Sequence, residues 1–81
     1  MSIYKVRTSD GCRFRMRWTP EQPELPIMFD MRSDSDWAKG ARWIPMHIRS
    51  GKARCVEQAA DIVNDYWGAP LTWVKSIERI D

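Results

Sequence analysis

Arg13, Arg15 and Arg17 alternate with Cys12, Phe14, Met16 and Trp18, and Lys5 and Arg7 alternate with Tyr4, Val6 and Thr8. A period of two puts the cations on one side of a strand and the apolar side chains on the other. Successive arginines then stand ~6.6–6.8 Å apart along the strand rise. A guanidinium is planar, permanently charged and weakly hydrated, so it suits carboxylates, phosphates and aromatic faces. Five like charges on one face repel each other and need counter-charges. Three sources would serve: bulk salt, the acidic 21–36 stretch folding back, or an acidic partner. If the partner is nucleic acid, the arginines would contact its phosphates and affinity would fall steeply with salt. The polar positions of these strands lack the interleaved aromatics that stack on unpaired bases. If the partner is an acidic protein surface, arginine pairs bidentately with carboxylates, and an exposed Trp37 or Trp43 would anchor the contact. The candidate binding face is therefore Lys5, Arg7, Arg13, Arg15 and Arg17, with Trp37 and Trp43 beside it.

Catalytic and metal chemistry find less support. His47 is the single histidine, lies next but one to Pro45, and is read as a surface or packing residue rather than a general base. Glu21, Glu24, Asp30, Asp34 and Asp36 lie around proline-rich and turn segments, with no spacing that sets two carboxylates opposite each other. No nucleophile elbow, phosphate-binding loop, dinucleotide fingerprint or metalloprotease helix is present. Cys12, Cys55 and His47 come from separate elements without a Cys-x-x-Cys pair, so neither a metal nor a cofactor is expected. Both cysteines fall on faces expected to be buried, Cys12 in the hairpin and Cys55 at the start of a helix. They are read as buried thiols in a reducing cytoplasm, and would pair only if hairpin and helix met there. A second possible anion site is Arg49, Lys52 and Arg54, around the expected helix N-terminus with its unsatisfied N–H groups. The helix dipole opposes cations at that end, and a solvated loop is the competing reading.

The elements that position these residues follow from punctuation and period. Ser9-Asp10-Gly11 joins the two alternating runs, 3–8 and 12–18, with the Asp-Gly pair supplying the positive φ angles of a tight hairpin. Three prolines between Thr19 and Pro26 exclude a helix interior or a central strand. Residues 27–32 set Ile27, Phe29 and Met31 against Met28, Asp30 and Arg32, a third strand. Ser33 to Asp36 is turn chemistry, and residues 37–40 form a loop or a single helical turn. Residues 41–49 give a fourth strand with Ile44, Met46 and Ile48 on one face, placed at an edge or bulged because Pro45 cannot donate to a ladder. Val56, Ala59, Ala60, Val63, Tyr66 and Trp67 share one helical face over residues 52–67. Ser50 is the expected N-cap, Gly68 the C′ residue and Pro70 the stop. Residues 71–80 form a last strand. The expected fold class is α+β: an antiparallel sheet of four to five strands with one amphipathic helix packed on one face.

Composition bounds the answer further. The 81 residues are room for one domain and one small core. With 43% hydrophobic and 30% charged residues the balance is that of a globular chain, not a disordered tail. No apolar run is long enough to span a bilayer, and no signal-peptide pattern is visible, so a cytoplasmic protein is expected. The net charge of +2 is well short of a dedicated nucleic-acid binder, but it is unevenly spread. Residues 1–17 are basic, 18–40 acidic and 41–81 nearly balanced. Nine of the thirteen basic residues are arginine. A core of this size holds about three of the five tryptophans, so one or two should be exposed.

The opening hairpin from Tyr4 to Phe14, the single amphipathic helix, and the short closing strand after Tyr66-Trp67-Gly68-Ala69-Pro70 together resemble the small proteins of phages and mobile elements, in particular anti-CRISPR-type inhibitors. The resemblance is one of layout and covers most of the chain. It implies a non-catalytic protein, in the cytoplasm of a host cell, that blocks a host protein or ribonucleoprotein complex by binding its protein or RNA surface. The mildly basic charge speaks against mimicry of a nucleic acid. Direct binding of DNA or RNA through the same arginines is the alternative, and either a monomer or a homodimer fits. In a homodimer, the acidic 21–36 segment of one copy would meet the basic hairpin of the other.

Overall fold

The computed structural model describes residues 2–67 and 71–81, with the side chain of Trp67 also outside the description. Five strands form one antiparallel sheet: β1 (Ser2–Thr8), β2 (Arg13–Trp18), β3 (Pro26–Asp30), β4 (Ile44–Arg49) and β5 (Val74–Arg79), in the spatial order β4-β3-β2-β1-β5. The main helix, α2 (Val56–Trp67), connects the two edge strands and packs across one face. A shorter helix, α1 (Asp34–Ala38), lies between β3 and β4. The expected α+β sheet with a packed helix is the observed architecture.

The β1–β2 pairing follows the alternation, with Lys5 opposite Arg15, Val6 opposite Phe14 and Arg7 opposite Arg13. The turn differs in detail from the sequence expectation. Gly11 has a φ of 85°, but Asp10 does not share the left-handed region. The Gly11 N–H donates to the Thr8 carbonyl at 3.1 Å and the Thr8 N–H to the Cys12 carbonyl at 2.9 Å. This is a three-residue connection ending in a left-handed glycine rather than a two-residue turn. The thiol of Cys12 consequently sits at the exposed end of the hairpin, and Cys55 is exposed ahead of α2. Both were expected to be buried. Each lies in the connection flanking its element, where the alternation and the helical period no longer apply, and both are free thiols.

The core forms on the face opposite the arginines. Val6, Phe14, Met16, Trp18, Ile27, Phe29 and Met46 from the sheet meet Ala53, Ala59, Ala60 and Val63 from the helical side. The two consecutive alanines let α2 approach closely. Tyr66 falls at the end of the helical stripe and is more than half exposed, while Asn64 is buried and donates to the Thr72 carbonyl at 3.2 Å. Helix α2 starts at Val56, not at 52, because Ser50–Lys52 forms a separate 3-10 turn. Ser50 is therefore not its cap. It is fully buried: its hydroxyl meets the Thr19 N–H and hydroxyl, and its carbonyl accepts from the Trp18 indole N–H at 2.9 Å. Gly51 is required here by contact, since a Cβ would come within 2.7 Å of Pro23 Cβ. The expected C′ Gly68 and stop Pro70 lie outside the described residues.

Both sheet edges carry features that resist pairing. Pro45 stands in β4, which among the described residues pairs with β3 alone. The β5 register shifts opposite Arg7 and Thr8, which leaves Lys75 out of the ladder. Proline, bulges and charged side chains are all ways of blunting an open edge.

Candidate anion-binding face

The cations of β1 and β2 do share one face, but that face is not bare. Helix α1 lies over it, for reasons that are local. The Ser33 hydroxyl accepts the Asp36 N–H at 3.3 Å as the N-cap, and Asp34 and Asp36 place negative charge in the first turn. Asp34 and Trp37 are three residues apart and so project from the same side of the helix. That side meets the arginines.

Asp34 is the centre of the arrangement. Its Oδ1 accepts from Arg15 Nη2 at 2.6 Å, while its Oδ2 lies 3.1 Å from Arg13 Nη1 and 3.4 Å from Lys5 Nζ. The Arg15 hydrogen bond, then the charges of Arg13 and Lys5, hold the Asp34 carboxyl below its ordinary range. Trp37 covers Arg15, with the guanidinium carbon 4.6 Å from the ring centroid, and Trp43 covers Arg17 at 5.6 Å. The two indoles meet edge to face at 5.3 Å. Two arginine–indole contacts and one indole pair thus lock together. Arg15 is only 6% exposed, Lys5 and Arg17 are partly covered, and Arg7 and Arg13 remain exposed. The Nε atoms of Arg15 and Arg17 are buried and find no hydrogen-bond partner among the described residues.

A second carboxylate holds this arrangement to the sheet. Asp30, 1% exposed at the end of β3, accepts from Arg32 Nη2 at 2.8 Å, Arg32 Nε at 3.1 Å, the Arg32 N–H at 2.9 Å and the Arg42 N–H at 3.0 Å. Arg32 Nη2 also donates to the Gly40 carbonyl at 2.7 Å. The neck of the segment that carries α1 is tied at Asp30. The Arg32 side chain is the main reason the Asp30 carboxyl drops to about 2, outweighing the opposite effect of burial.

The five cations share one face as the alternation implies, and the acidic 21–36 stretch folds back onto it through Asp34. Helix α1 occupies residues expected to be a turn over 33–36 and a loop or a single helical turn from 37, so the helical alternative covers its end but not its first turn. The available signal was Ser33-x-x-Asp36, a capping pattern, with Asp34 and Trp37 at helical spacing. The buried role of Asp30 had no such signal, because its partners come from residues 32 and 42.

The other predicted residues do not form one site. Arg49 directs Nη1 to the Glu24 carbonyl at 2.5 Å, Lys52 is exposed in the 3-10 turn, and the Arg54 N–H donates to Gln58 Oε1 at 2.6 Å. With α2 starting at Val56, Arg49 and Lys52 precede its first turn instead of surrounding it. His47 is exposed on β4. The Asp10 carboxylate, by hydrogen bond and charge, pushes the Cys12 thiol up, which lowers its thiolate fraction and its reactivity. Of the tryptophans, Trp18 is buried, Trp37 and Trp43 are half-buried, and Trp73 is 66% exposed. Among the described residues, no group of three His, Cys, Asp or Glu side chains could hold a metal ion, and no helix is long and apolar enough to cross a membrane.

No family model, curated protein or solved structure matches this chain.

Proposed function

We propose that this chain is a non-enzymatic binding protein of the anti-CRISPR inhibitor kind, docking through its basic sheet face on the acidic surface of a host effector complex. The observation that carries the proposal is charge surplus on an ordered surface. Lys5, Arg7, Arg13, Arg15 and Arg17 share one face with the carboxylates Asp30, Asp34 and Glu78, Asp30 standing opposite Arg15 and Glu78 opposite Lys5 in the ladder. The face stays positive, and one of its arginines, Arg17, is held against Trp43, while Arg15 lies under Trp37 in the free protein. Preorganised arginines lose less freedom when they pair with carboxylates than mobile ones would.

Binding of nucleic acid through the same face is the second reading. It is favoured by one observation: the aromatics missing from the hairpin itself are supplied by Trp37 and Trp43. Against it, each of these rings already carries a guanidinium and an indole contact.

Titration separates the two. Labelled single- and double-stranded DNA and RNA, and labelled poly-L-glutamate, would be added at low and near-physiological salt to wild type and to the double variant Arg7→Ala/Arg13→Ala. Both substitutions remove exposed guanidinium groups and leave the Trp37 and Trp43 contacts untouched. Poly-L-glutamate binding that weakens with salt and in the double variant supports docking on an acidic protein surface. Preferential binding of nucleic acid, with a salt slope reduced by roughly two in the variant, promotes the second reading. No binding to any polyanion refutes the use of this face.

A further inference from the structure

Resting on the proposed function, we infer that Lys5, Arg13 and Arg15 form an acceptor site for a carboxylate of an acidic protein partner, and that Asp34 fills this site in the free protein. Helix α1 is then an internal occupant that the partner displaces.

Three features carry this. The first is stoichiometry, since three cations converge on one carboxylate that is itself 42% exposed. An incoming acidic group can reach it from solvent. The second is an incomplete fork. Arg15 gives Asp34 only Nη2, and its Nε is buried without a partner among the described residues. A carboxylate seated in the guanidinium plane would engage Nη2 and Nε together, the bidentate geometry that arginine favours. Asp34 does not take that seat: it meets Nη2 alone, while Trp37, on the same side of the same helix, covers Arg15. The third is mechanical. The segment leaves the sheet after Arg32 and returns at Gly40 and Arg42, and both ends are tied to Asp30 directly or through Arg32. Residues 33–39 can lift as a unit while the neck stays closed and Trp43 stays on Arg17. Gly40, with a φ of 131°, ends the helix at that neck in a conformation few other residues adopt.

The chemistry favours a carboxylate over a phosphodiester because the present occupant is a carboxylate and already meets all three cations.

The test measures binding of fluorescein-labelled poly-L-glutamate, and of an oligothymidylate of equal charge, to wild type, Asp34→Asn and Asp65→Asn at low salt. Asp65 is exposed on α2 and controls for the change in net charge. The expected result is poly-L-glutamate affinity at least tenfold higher for Asp34→Asn than for wild type, with Asp65→Asn changed less than twofold. Equal or weaker binding by Asp34→Asn overturns the inference while leaving the face as a binding surface. Oligothymidylate bound more tightly than poly-L-glutamate overturns the assignment to carboxylates. Absence of binding by every protein refutes the underlying function, and the inference with it. A second measurement on wild type stands even where Asp34→Asn fails to fold. On adding poly-L-glutamate, the indole N–H resonance of Trp37 should shift, while that of Trp18, bonded to the Ser50 carbonyl inside the core, should not. An unmoved Trp37 resonance at saturation means that α1 is not displaced.

Discussion

The two faces of the sheet bury side chains by opposite means. On one, Val6, Phe14, Met16, Ile27 and Phe29 lie under the small residues of a twelve-residue helix, and burial there is apolar. On the other, a five-residue helix lays Asp34 and Trp37 over Lys5, Arg13 and Arg15, and burial is by ion pairs and arginine–indole stacking. Apolar burial is non-directional and stabilises in proportion to area, roughly 25 cal/mol per Å². Ion-pair burial largely returns what desolvation costs, so its net contribution is small while its geometry is specific. The first face therefore holds the fold, and the second is free to be exchanged.

That contrast can be broken by substitution. Met16 is completely buried on the helix side, so Met16→Ala should cost about 2–5 kcal/mol, toward the upper end. A chain of this length has roughly 4–12 kcal/mol in total, so the urea midpoint should fall by a third or more. A loss below 1 kcal/mol would mean that the helix face is not the main core.

Asp30 comes next, because among the described residues it is the carboxylate on the polar face that is closed off from solvent. Asp30→Ala leaves the Arg42 N–H without its acceptor and Arg32 with the Gly40 carbonyl alone, at a cost of ~3 kcal/mol, the low end for a broken buried pair. Arg32 keeps some access to water, which is why the low end is expected. The same residue sets the acid response. Its carboxyl titrates at about 2 when folded against 3.8 as an ordinary aspartate. A carboxyl with a depressed folded value contributes stability above the unfolded value and loses it as pH falls through the folded one. Asp30 should therefore supply about 2 kcal/mol at neutral pH, lost between about pH 5 and pH 2. Asp34 acts in the same direction, but its exposure weakens the effect. Denaturation at stepped pH should show this loss in wild type, with a flatter profile in Asp30→Ala.

How much of this was legible in the sequence follows the same division. The helix-side core was readable because alternation in 3–8 and 12–18 and the helical period in 56–63 are repeated signals, each residue supporting the next. Pro45 announced an edge strand by a single missing donor. The polar face was readable only as a set of cations, because their partners come from elsewhere in the chain. Asp34 is nineteen residues from Arg15, and Trp37 is twenty-two; no local pattern in the hairpin encodes either. Cys12 and Cys55 depart from the expectation for a related reason: each lies one residue outside the element whose period it would continue. Ser50 was read as a cap on its type alone, yet its partners are Trp18 and Thr19, some thirty residues earlier.

The smallest effect is the most discriminating. Arg15 is as buried as many core residues, and on burial alone its replacement should be severe. Arg15→Met keeps a long flexible side chain under Trp37 and removes the orphaned Nε, while Asp34 retains Arg13 and Lys5. The loss is accordingly expected below ~1 kcal/mol, as when a buried ion pair gives way to an apolar side chain of similar length. Urea denaturation of this variant beside Met16→Ala measures the difference between the faces directly. A cost of 3 kcal/mol or more would make the arginine face a second structural core, and a face the fold depends on to that degree could not also release α1 to a partner.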